Sequence, residues 1–354
     1  MKRFISLILS LLSIIISYNV YGYELEGDDF RFFYENDDMV TYADEIDKYE
    51  CENGNIYVDQ EWISWSRGGA VHYGINCQYN WYNADKSVTK VNIDNVGITV
   101  SHNVWHSTDR YLIHNIKPEA FKDCKNLTEF NIAGDDRYLD LYYPIINVGN
   151  NAFENCTSLE GIRFPNGKSY KIYAVDEYPA LIWHETTIGE YAFKNCTNLK
   201  YVIIDGLDTV IEENAFYGCP NVVIYCNSKS LAERYAKANN IKYVLMDNEY
   251  SDLEKAIFNY DMYSKNVPGL VEVTAADFYK SDDNKDDLCT TYDLLLAGWV
   301  QRGVEEEIQG SRVFDVEYYK AANPDVVKVW GNSNTAMYNH FIKYGVEELR
   351  KKLS

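Results

Sequence analysis

The sequence predicts an α/β repeat solenoid of short parallel strands, followed by a small, mostly helical C-terminal domain. Two observations predict this architecture: a motif recurs four times between residues 116 and 225, and the patterning becomes helical after residue 250. The chain has 354 residues, enough for two or three domains with cores of their own. With 46% hydrophobic residues it is not a disordered polymer.

The first 22 residues have the pattern of a secretory signal peptide. Lys2 and Arg3 precede an apolar stretch over residues 4–17, which is too short to span a bilayer comfortably. Val20 and Gly22 are small enough for cleavage after Gly22. We therefore expect a secreted or extracellular cell-surface protein with no membrane span after cleavage, an uncleaved anchor being the alternative.

The charge balance restricts the class of partner. Fifty-four acidic residues face 33 basic ones, which gives a net charge of −21. Nucleic acid and anionic lipid both require a basic face, so neither is expected as a partner. The 32 tyrosines outnumber Phe and Trp together, a composition that contact surfaces use.

The recurring motif reads A-F-x-x-C-x-x-L-x-x-φ-x-φ, where φ is apolar. Its phenylalanines are Phe121, Phe153, Phe193 and Phe216, and its cysteines are Cys124, Cys156, Cys196 and Cys219. The last two phenylalanines are 23 residues apart, within the leucine-rich-repeat range of roughly 20–29 residues. The larger spacings are read as insertions. The end of the motif predicts a strand with alternate side chains inward. A degenerate earlier copy fits Tyr82, Asp85, Val88, Val91 and Ile93.

Copies such as IGEYAFKNCTNLKYVII resemble the BspA-like leucine-rich repeats, which are common in surface and secreted proteins. The resemblance covers residues 88–245. It implies a right-handed solenoid and a protein-binding or adhesion role without catalysis, in which the repeat cysteines form a buried column of thiols. Residues 228–240 would add a helical cap, begun by Ser228 or Ser230 and ended by Asn239 or Asn240. Residues 23–87 are assigned to an N-terminal region and solenoid cap.

The eight cysteines leave the disulfide pattern open. Cys51 with Cys77 is the best candidate pair and Cys219 with Cys226 a weaker one, with Cys289 left single. No C-x-x-C pair is present, so a structural zinc site has no support.

The candidate partner-binding surface lies on three insertions, at roughly residues 94–115, 133–147 and 165–187. All three fall at one phase of the repeat and should emerge on one side of the solenoid. The first carries His102, Trp105 and His106. The candidate contact residues on the other two are Tyr138, Tyr142, Tyr143, Tyr170, Tyr173, Tyr178 and Trp183. Alternatively, these aromatic residues only pack the loops together. The outward strand positions rank second as a surface: Glu129, Asn131, Gly161, Arg163, Tyr201 and Ile203.

Residues 251–354 carry helix signals. Asn323-Pro324 suits a helix start, and Asn334 can begin a helix that runs to Tyr344 and ends at Gly345. The expected core of this region is Phe314, Tyr318, Val326, Trp330, Tyr338 and Phe341. A worn upstream copy aligns DFYK (277–280) with EYYK (317–320) and GWVQRGVEEE (298–307) with HFIKYGVEEL (340–349), without a counterpart of N-P-D-V (323–326). The pattern resembles a tandem helical module of bacterial secreted and surface proteins.

No catalytic constellation is found in the sequence, so we expect no enzyme, cofactor, metal or catalytic residue. The expected partner is a protein or a host or cell-surface ligand. The alternative function is an extracellular carbohydrate-binding protein or hydrolase. Its site would lie in the N-terminal segment, where Trp62, Trp65 and Trp81 could stack on sugar rings. We favour the solenoid cap for that segment.

Overall fold

The computed structural model describes residues 22–26, 29–33, 39–43, 49–52, 57–63, 76–93, 99–102, 108–109, 111–132, 145–164, 186–275, 291–345 and 347. Its strands are β1 (Gly22–Glu26), β2 (Asp29–Phe33), β3 (Met39–Ala43), β4 (Tyr49–Glu52), β5 (Tyr57–Ile63), β6 (Asn76–Tyr82), β7 (Lys90–Ile93), β8 (Thr99–His102), β9 (Thr108–Asp109), β10 (Tyr111–Ile116), β11 (Glu129–Ile132), β12 (Ile145–Val148), β13 (Gly161–Phe164), β14 (Thr187–Ile188), β15 (Tyr201–Ile204), β16 (Val210–Ile211), β17 (Val223–Cys226) and β18 (Lys242–Leu245).

The helices begin after the last repeat. They are α1 (Leu231–Ala238), α2 (Asp252–Ile257), α3 (Tyr260–Asn266), α4 (Pro268–Ala275), α5 (Thr291–Gly298), α6 (Val316–Ala322), α7 (Pro324–Trp330) and α8 (Asn334–His340). Two π-helical segments continue α5 and α8 directly, over Trp299–Gly303 and Phe341–Gly345.

Each coil of the solenoid contributes one strand to each of two sheets. The back sheet has the order β16-β14-β12-β10-β6-β5. The front sheet consists of β4-β7-β11 and β13-β15-β17-β18, which adjoin at β11 and β13. Neighbouring coils pair in parallel, as predicted, because successive copies of one motif stack in the same orientation. The coil of β6 and β7 is the predicted degenerate copy.

Antiparallel strands close the N-terminal end of both sheets. Strand β4 pairs with β7 and β5 pairs with β6, each antiparallel to the coil that it covers. Cys51 lies in β4 opposite Val91, whereas Cys77 lies in β6 opposite Trp62, so the two cysteines belong to different sheets. Their disulfide stays a prediction. The leader, apart from Gly22 in β1, lies outside the described residues.

The solenoid core is a column of stacked phenylalanines. Phe121, Phe153 and Phe193 lie face to face with centroids 5.0 Å apart, and Phe216 extends the column at 5.4 Å. The repeat leucines and the inward strand residues are buried around this column. Each coil therefore buries its apolar face against its neighbours, which is why the motif repeats its Phe, Cys and Leu.

The repeat cysteines form the expected buried column of thiols. The Sγ atoms of Cys156, Cys196 and Cys219 each donate to the carbonyl of the motif phenylalanine in the preceding coil, at 3.1, 3.0 and 3.0 Å. Cys219 and Cys226 are both free and buried, so the weaker disulfide prediction is wrong. The two thiols belong to different structural positions, since Cys219 lies in the motif turn and Cys226 ends β17.

Thiol labelling should report this burial. Burial raises the pKa of Cys124 to about 11 and of Cys226 to about 12, so both remain protonated at pH 8. We expect the buried thiols of the folded chain to react with iodoacetamide at least ~100-fold more slowly than those of the urea-unfolded chain. Mass spectrometry of each cysteine peptide measures the rates. Fast labelling of Cys156 in the folded chain would contradict the buried column.

Helix α1 caps the C-terminal end of the solenoid. Ser230 is the N-cap, and its Oγ accepts a hydrogen bond from the Glu233 N–H at 3.0 Å, while Asn239 ends the helix. Ala232 and Ala236 are buried against the last coil. Strand β18 then adds one more parallel strand to the front sheet.

In the described part of the C-terminal region, α2 is followed by two equivalent modules of three helices each. The first module comprises residues 258–275 and 291–303 with α3, α4, α5 and a π-helical segment, and the second comprises residues 314–345 with α6, α7, α8 and the other π-helical segment. Equivalent pairs 56 residues apart are Phe258/Phe314, Asn259/Asp315, Tyr263/Tyr319, Pro268/Pro324 and Leu270/Val326; pairs 42 apart are Trp299/Phe341 and Gly303/Gly345. The first helices of the two modules, α3 and α6, have the same kind of N-cap. The side chains of Asn259 and Asp315 each accept a hydrogen bond from the backbone N–H three residues further on.

This equivalence corrects the predicted alignment. The counterpart of EYYK in α6 lies in α3, and DFYK (277–280) belongs to the longer connection between α4 and α5, outside the described residues. The first module has its counterpart of N-P-D-V at residues 267–270. The predicted pairing of residues 298–307 with 340–349 stays a prediction; in the described residues, both stretches continue a third helix into a π-helical segment.

The prediction of the helical core was wrong at two positions. Tyr318 and Trp330 are exposed, and the neighbouring Tyr319 is buried instead, because the inward face of α6 is shifted by one residue. The predicted N-cap Asn334 is also off by one. Ser333 begins α8, and its Oγ accepts from the Ala336 N–H at 3.1 Å.

Candidate partner-binding site

The three insertions leave and re-enter the solenoid at one edge. Each follows a front-sheet strand and precedes a back-sheet strand: β7 to β10, β11 to β12 and β13 to β14. Ile93 and Ile132, the residues before the first two insertions, are paired in register, and Phe164 before the third is paired with Ile204 of the next coil. The residues after them are stacked as well, with Asn147 beside Thr187. The predicted common side of the insertions therefore follows from the strand order.

The insertions were predicted slightly too long. Residues 111–115, 145–147 and 187 belong to β10, β12 and β14 and pair in the back sheet. The last residues of each insertion are thus part of the solenoid. The candidate contact residues Tyr138, Tyr142, Tyr143, Tyr170, Tyr173, Tyr178 and Trp183 lie outside the described residues.

Part of the first insertion is a sheet. Strands β8 and β9 lie within it, and β8 pairs antiparallel with β3 in the order β1-β2-β3-β8-β9. His102 is the last residue of β8. Trp105 and His106 lie outside the described residues.

The one coil without an insertion shows how this edge closes. Residues 205–209 connect β15 directly to β16. Asp205 accepts two hydrogen bonds from Arg163, at 2.8 Å from Nε and 3.0 Å from Nη2, and both side chains are about 95% buried, with exposures of 6% and 5%. Asn227 donates to the Asp205 carbonyl at 2.9 Å. Arg163, predicted as an outward surface residue, instead fixes this connection.

The outward face of the front sheet, the second-ranked surface, is covered over β13, β15 and β17. Ile203 and Tyr225 are fully buried in the core of the helical domain, and Tyr201 packs against that core. Gly161 lies against Val273 of α4. Burial raises the pKa of the Tyr225 hydroxyl, which approaches Gly298 of α5. Of the predicted positions, Glu129 and Asn131 are half-exposed on β11, outside the covered strands. The front face is therefore no open groove at this end.

Gln301 joins the helical domain to the outermost front strand. Its Oε1 accepts from the Leu245 N–H at 2.9 Å, and its Nε2 donates to the Leu245 carbonyl at 2.7 Å. The amide thus pairs with backbone groups at the edge of β18 as a further strand would. Nε2 also donates to the Tyr250 hydroxyl at 2.7 Å.

We expect Gln301→Leu to lower the free energy of unfolding by about 1–3 kcal/mol, since two half-buried backbone groups lose their partner. Urea denaturation measures the change, and limited proteolysis measures release of the helical domain. The matched control is Lys242→Ala, which removes an exposed ion pair to Glu306 across the same contact and should cost at most about 1 kcal/mol. Equal effects of the two substitutions would contradict this role of Gln301.

The described residues contain no group of three or more His, Cys, Asp or Glu side chains placed to hold a metal ion. Among the helices of the described ranges, none combines the length and apolar character needed to cross a membrane. The Trp-rich segment lies partly in the N-terminal strands, with Trp62 in β5 and Trp81 in β6, and Trp65 lies outside the described residues.

Fold and site together define a repeat solenoid that carries insertions on one edge and a helical domain on its front face. Residues 114–174 and 185–280 match the model of the BspA type leucine rich repeat region, in six copies. The predicted BspA-like leucine-rich repeats are thereby confirmed. The match continues past β18 into α2, α3 and α4. No curated protein and no solved structure matches the chain.

Proposed function

We propose that the chain is a secreted or cell-surface protein of the protein-binding or adhesion type, without catalytic activity. The BspA-type repeats support a surface-type interaction protein, and the signal-peptide pattern of residues 1–22 supports export. The partner is a protein or a host or cell-surface ligand. With a net charge of −21, the chain favours neutral or basic partners.

The proposed contact surface is the insertion edge. The observation that carries this proposal is the coverage of the front face by the helical domain, with Ile203 and Tyr225 buried beneath it. Solenoids often bind through that face, so its coverage shifts the expected contact to another surface. The insertions carry the dense tyrosines and Trp183, residue types that dominate binding energies.

The experiment uses the mature chain with the alanine substitutions Tyr142→Ala, Tyr173→Ala and Trp183→Ala. Partners are captured from host-cell surface extracts by cross-linking, and circular dichroism checks that each variant is folded. The matched control is Tyr217→Ala, a tyrosine that is 59% exposed on the motif turns away from the insertions. Selective loss of a partner in folded insertion variants supports the proposal. Variants that melt, or that keep every partner, support loop packing instead.

A second candidate is glycan binding or hydrolysis at the N-terminal strands. Trp62 and Trp81 lie on the directly paired strands β5 and β6, at register positions opposite Cys77 and Val58. Aromatic side chains in one sheet suit stacking on sugar rings. A glycan array with the mature chain separates the candidates, because sugar binding abolished by Trp62→Ala or Trp65→Ala would replace the first proposal.

A further inference from the structure

The two equivalent modules differ in what covers one particular face. In the first module this face, formed by α4, α5 and the π-helical segment, lies on the front sheet. A Cβ at Gly269 would be 3.3 Å from the Tyr201 ring, and one at Gly298 would be 2.8 Å from the Tyr225 hydroxyl. Val273 contacts Gly161. The module is therefore built to seat this face on the parallel strands of a leucine-rich repeat.

The same face of the second module has no sheet over it. The equivalents of Gly269, Val273 and Gly298 are Asp325 and Val329, which are exposed, and His340, which is 4% exposed. Among the described residues, Val329 is the most exposed large apolar side chain, at 78%. No part of the described chain covers this face in the way that the front sheet covers the same face of the first module.

An aromatic cluster occupies this open face. Trp330, 39% exposed, packs edge-on against His340 at 5.1 Å and against Tyr344 at 5.6 Å between ring centroids. Lys343 lies over the Tyr344 ring at 5.1 Å, and Lys328 is exposed on α7. Trp and Tyr at the centre of a surface with a cationic rim are the residues that carry binding energy at protein interfaces.

We propose that this face docks on the front sheet of a second copy of the chain. The first module shows which surface fits the face: the outward side of parallel BspA-type strands. The chain has such a surface left over, because the front sheet continues past α4 to β11, where Glu129 and Asn131 are half-exposed. Lys328 and Lys343 place positive charges on the docking face opposite the Glu129 carboxylate of the receiving strand, which counters part of the repulsion between two chains of net charge −21.

Reciprocal docking closes the assembly. If the second module of each chain lies on β11 of the other, the contact is made twice and related by a twofold axis, so it ends at a dimer. This inference is independent of the insertion edge: it concerns α7, the π-helical segment after α8 and β11, and it holds whether or not the insertions bind a further protein.

Sedimentation velocity of the mature chain from ~1 to ~100 µM tests the dimer. We expect a concentration-dependent dimer whose dissociation constant rises at least about tenfold in Val329→Glu and in Trp330→Ala. Asn131→Arg, which blocks the proposed receiving strand, should act equally. Tyr217→Ala on the motif turns is the matched control and should leave the dimer unchanged. Val329 contributes little to the module core, so its variant reports on docking even if Trp330→Ala unfolds.

A chain that stays monomeric over this range overturns the proposal, also when the open face captures some other protein. A dimer that survives Val329→Glu shows that another surface dimerises. A dimer that is lost in Val329→Glu but kept in Asn131→Arg overturns the assignment of the front sheet as the receiving surface. None of these outcomes depends on Tyr142, Tyr173 or Trp183, so the proposed function is tested separately.

Discussion

Asp205→Ala should lower the free energy of unfolding by about 3–5 kcal/mol, because it removes the carboxylate that neutralises a buried guanidinium. The Arg163 and Asp205 side chains are only 6% and 5% exposed, and two hydrogen bonds join them at 2.8 and 3.0 Å. Their pairing ties β13 to the connection that leaves β15. Denaturation in urea, followed by circular dichroism, measures the loss.

The double variant Arg163→Met/Asp205→Leu is the informative control. It removes both charges and leaves apolar groups of similar size, so it should be clearly more stable than Asp205→Ala alone. An exposed pair provides the second comparison: Lys242→Ala breaks the contact to Glu306 and should cost at most about 1 kcal/mol. A loss of less than about 1 kcal/mol in Asp205→Ala would show that water reaches Arg163 readily.

The solenoid was predictable because its information is local and repeated. Phe121, Phe153 and Phe193 recur with Cys and Leu at fixed offsets, and the structure stacks each column directly. The cap helix was predicted to begin at Ser228 or Ser230, because serine caps helices well, and the structure selects Ser230, whose Oγ accepts from the Glu233 N–H. Where the repeat varied, its variation was informative too: the insertions fall at one phase, and the strand order places them at one edge.

Docking of the helical domain on the front sheet was missed, although the sequence carried a signal for it. Strands β15 and β17 read YVII and VIYC, apolar at outward as well as inward positions, whereas β11 reads EFNI. A strand buried on both faces has such a continuous apolar run. Tyr201 and Ile203 therefore indicated a covered sheet, and Glu129 and Asn131 an uncovered one.

The predicted alignment of the two modules was wrong for a different reason. The first module carries a longer connection between α4 and α5, so its helices match the second module at two spacings rather than one. Short strings such as DFYK then align by chance better than the true equivalents. The structure buries Tyr319 where Tyr318 was predicted, and caps α8 with Ser333 where Asn334 was predicted. Both are shifts by one residue, the usual uncertainty when a helix start is predicted from the side-chain pattern alone.

Phe153→Ala should lower the free energy of unfolding by about 3–5 kcal/mol. Phe153 is fully buried in the middle of the column, stacked on Phe121 and Phe193 at 5.0 Å and met edge-on by Phe130 at 5.1 Å. Removing this ring leaves a cavity whose rigid neighbours cannot close it, because two coils share it. Urea denaturation of the mature chain gives the energy.

Phe216→Ala at the end of the column is the matched control. Phe216 stacks on one phenylalanine only, at 5.4 Å, and its other side meets Tyr235 of α1 edge-on at 6.1 Å. Since a solenoid is held by contacts between neighbouring coils, the interior ring couples two interfaces and the terminal ring couples one coil to a cap. Phe153→Ala should therefore also separate the unfolding of the N-terminal coils from that of the C-terminal coils, seen as two steps in hydrogen exchange. If both substitutions cost the same and unfolding stays a single step, the stacked column does not carry the coupling between coils.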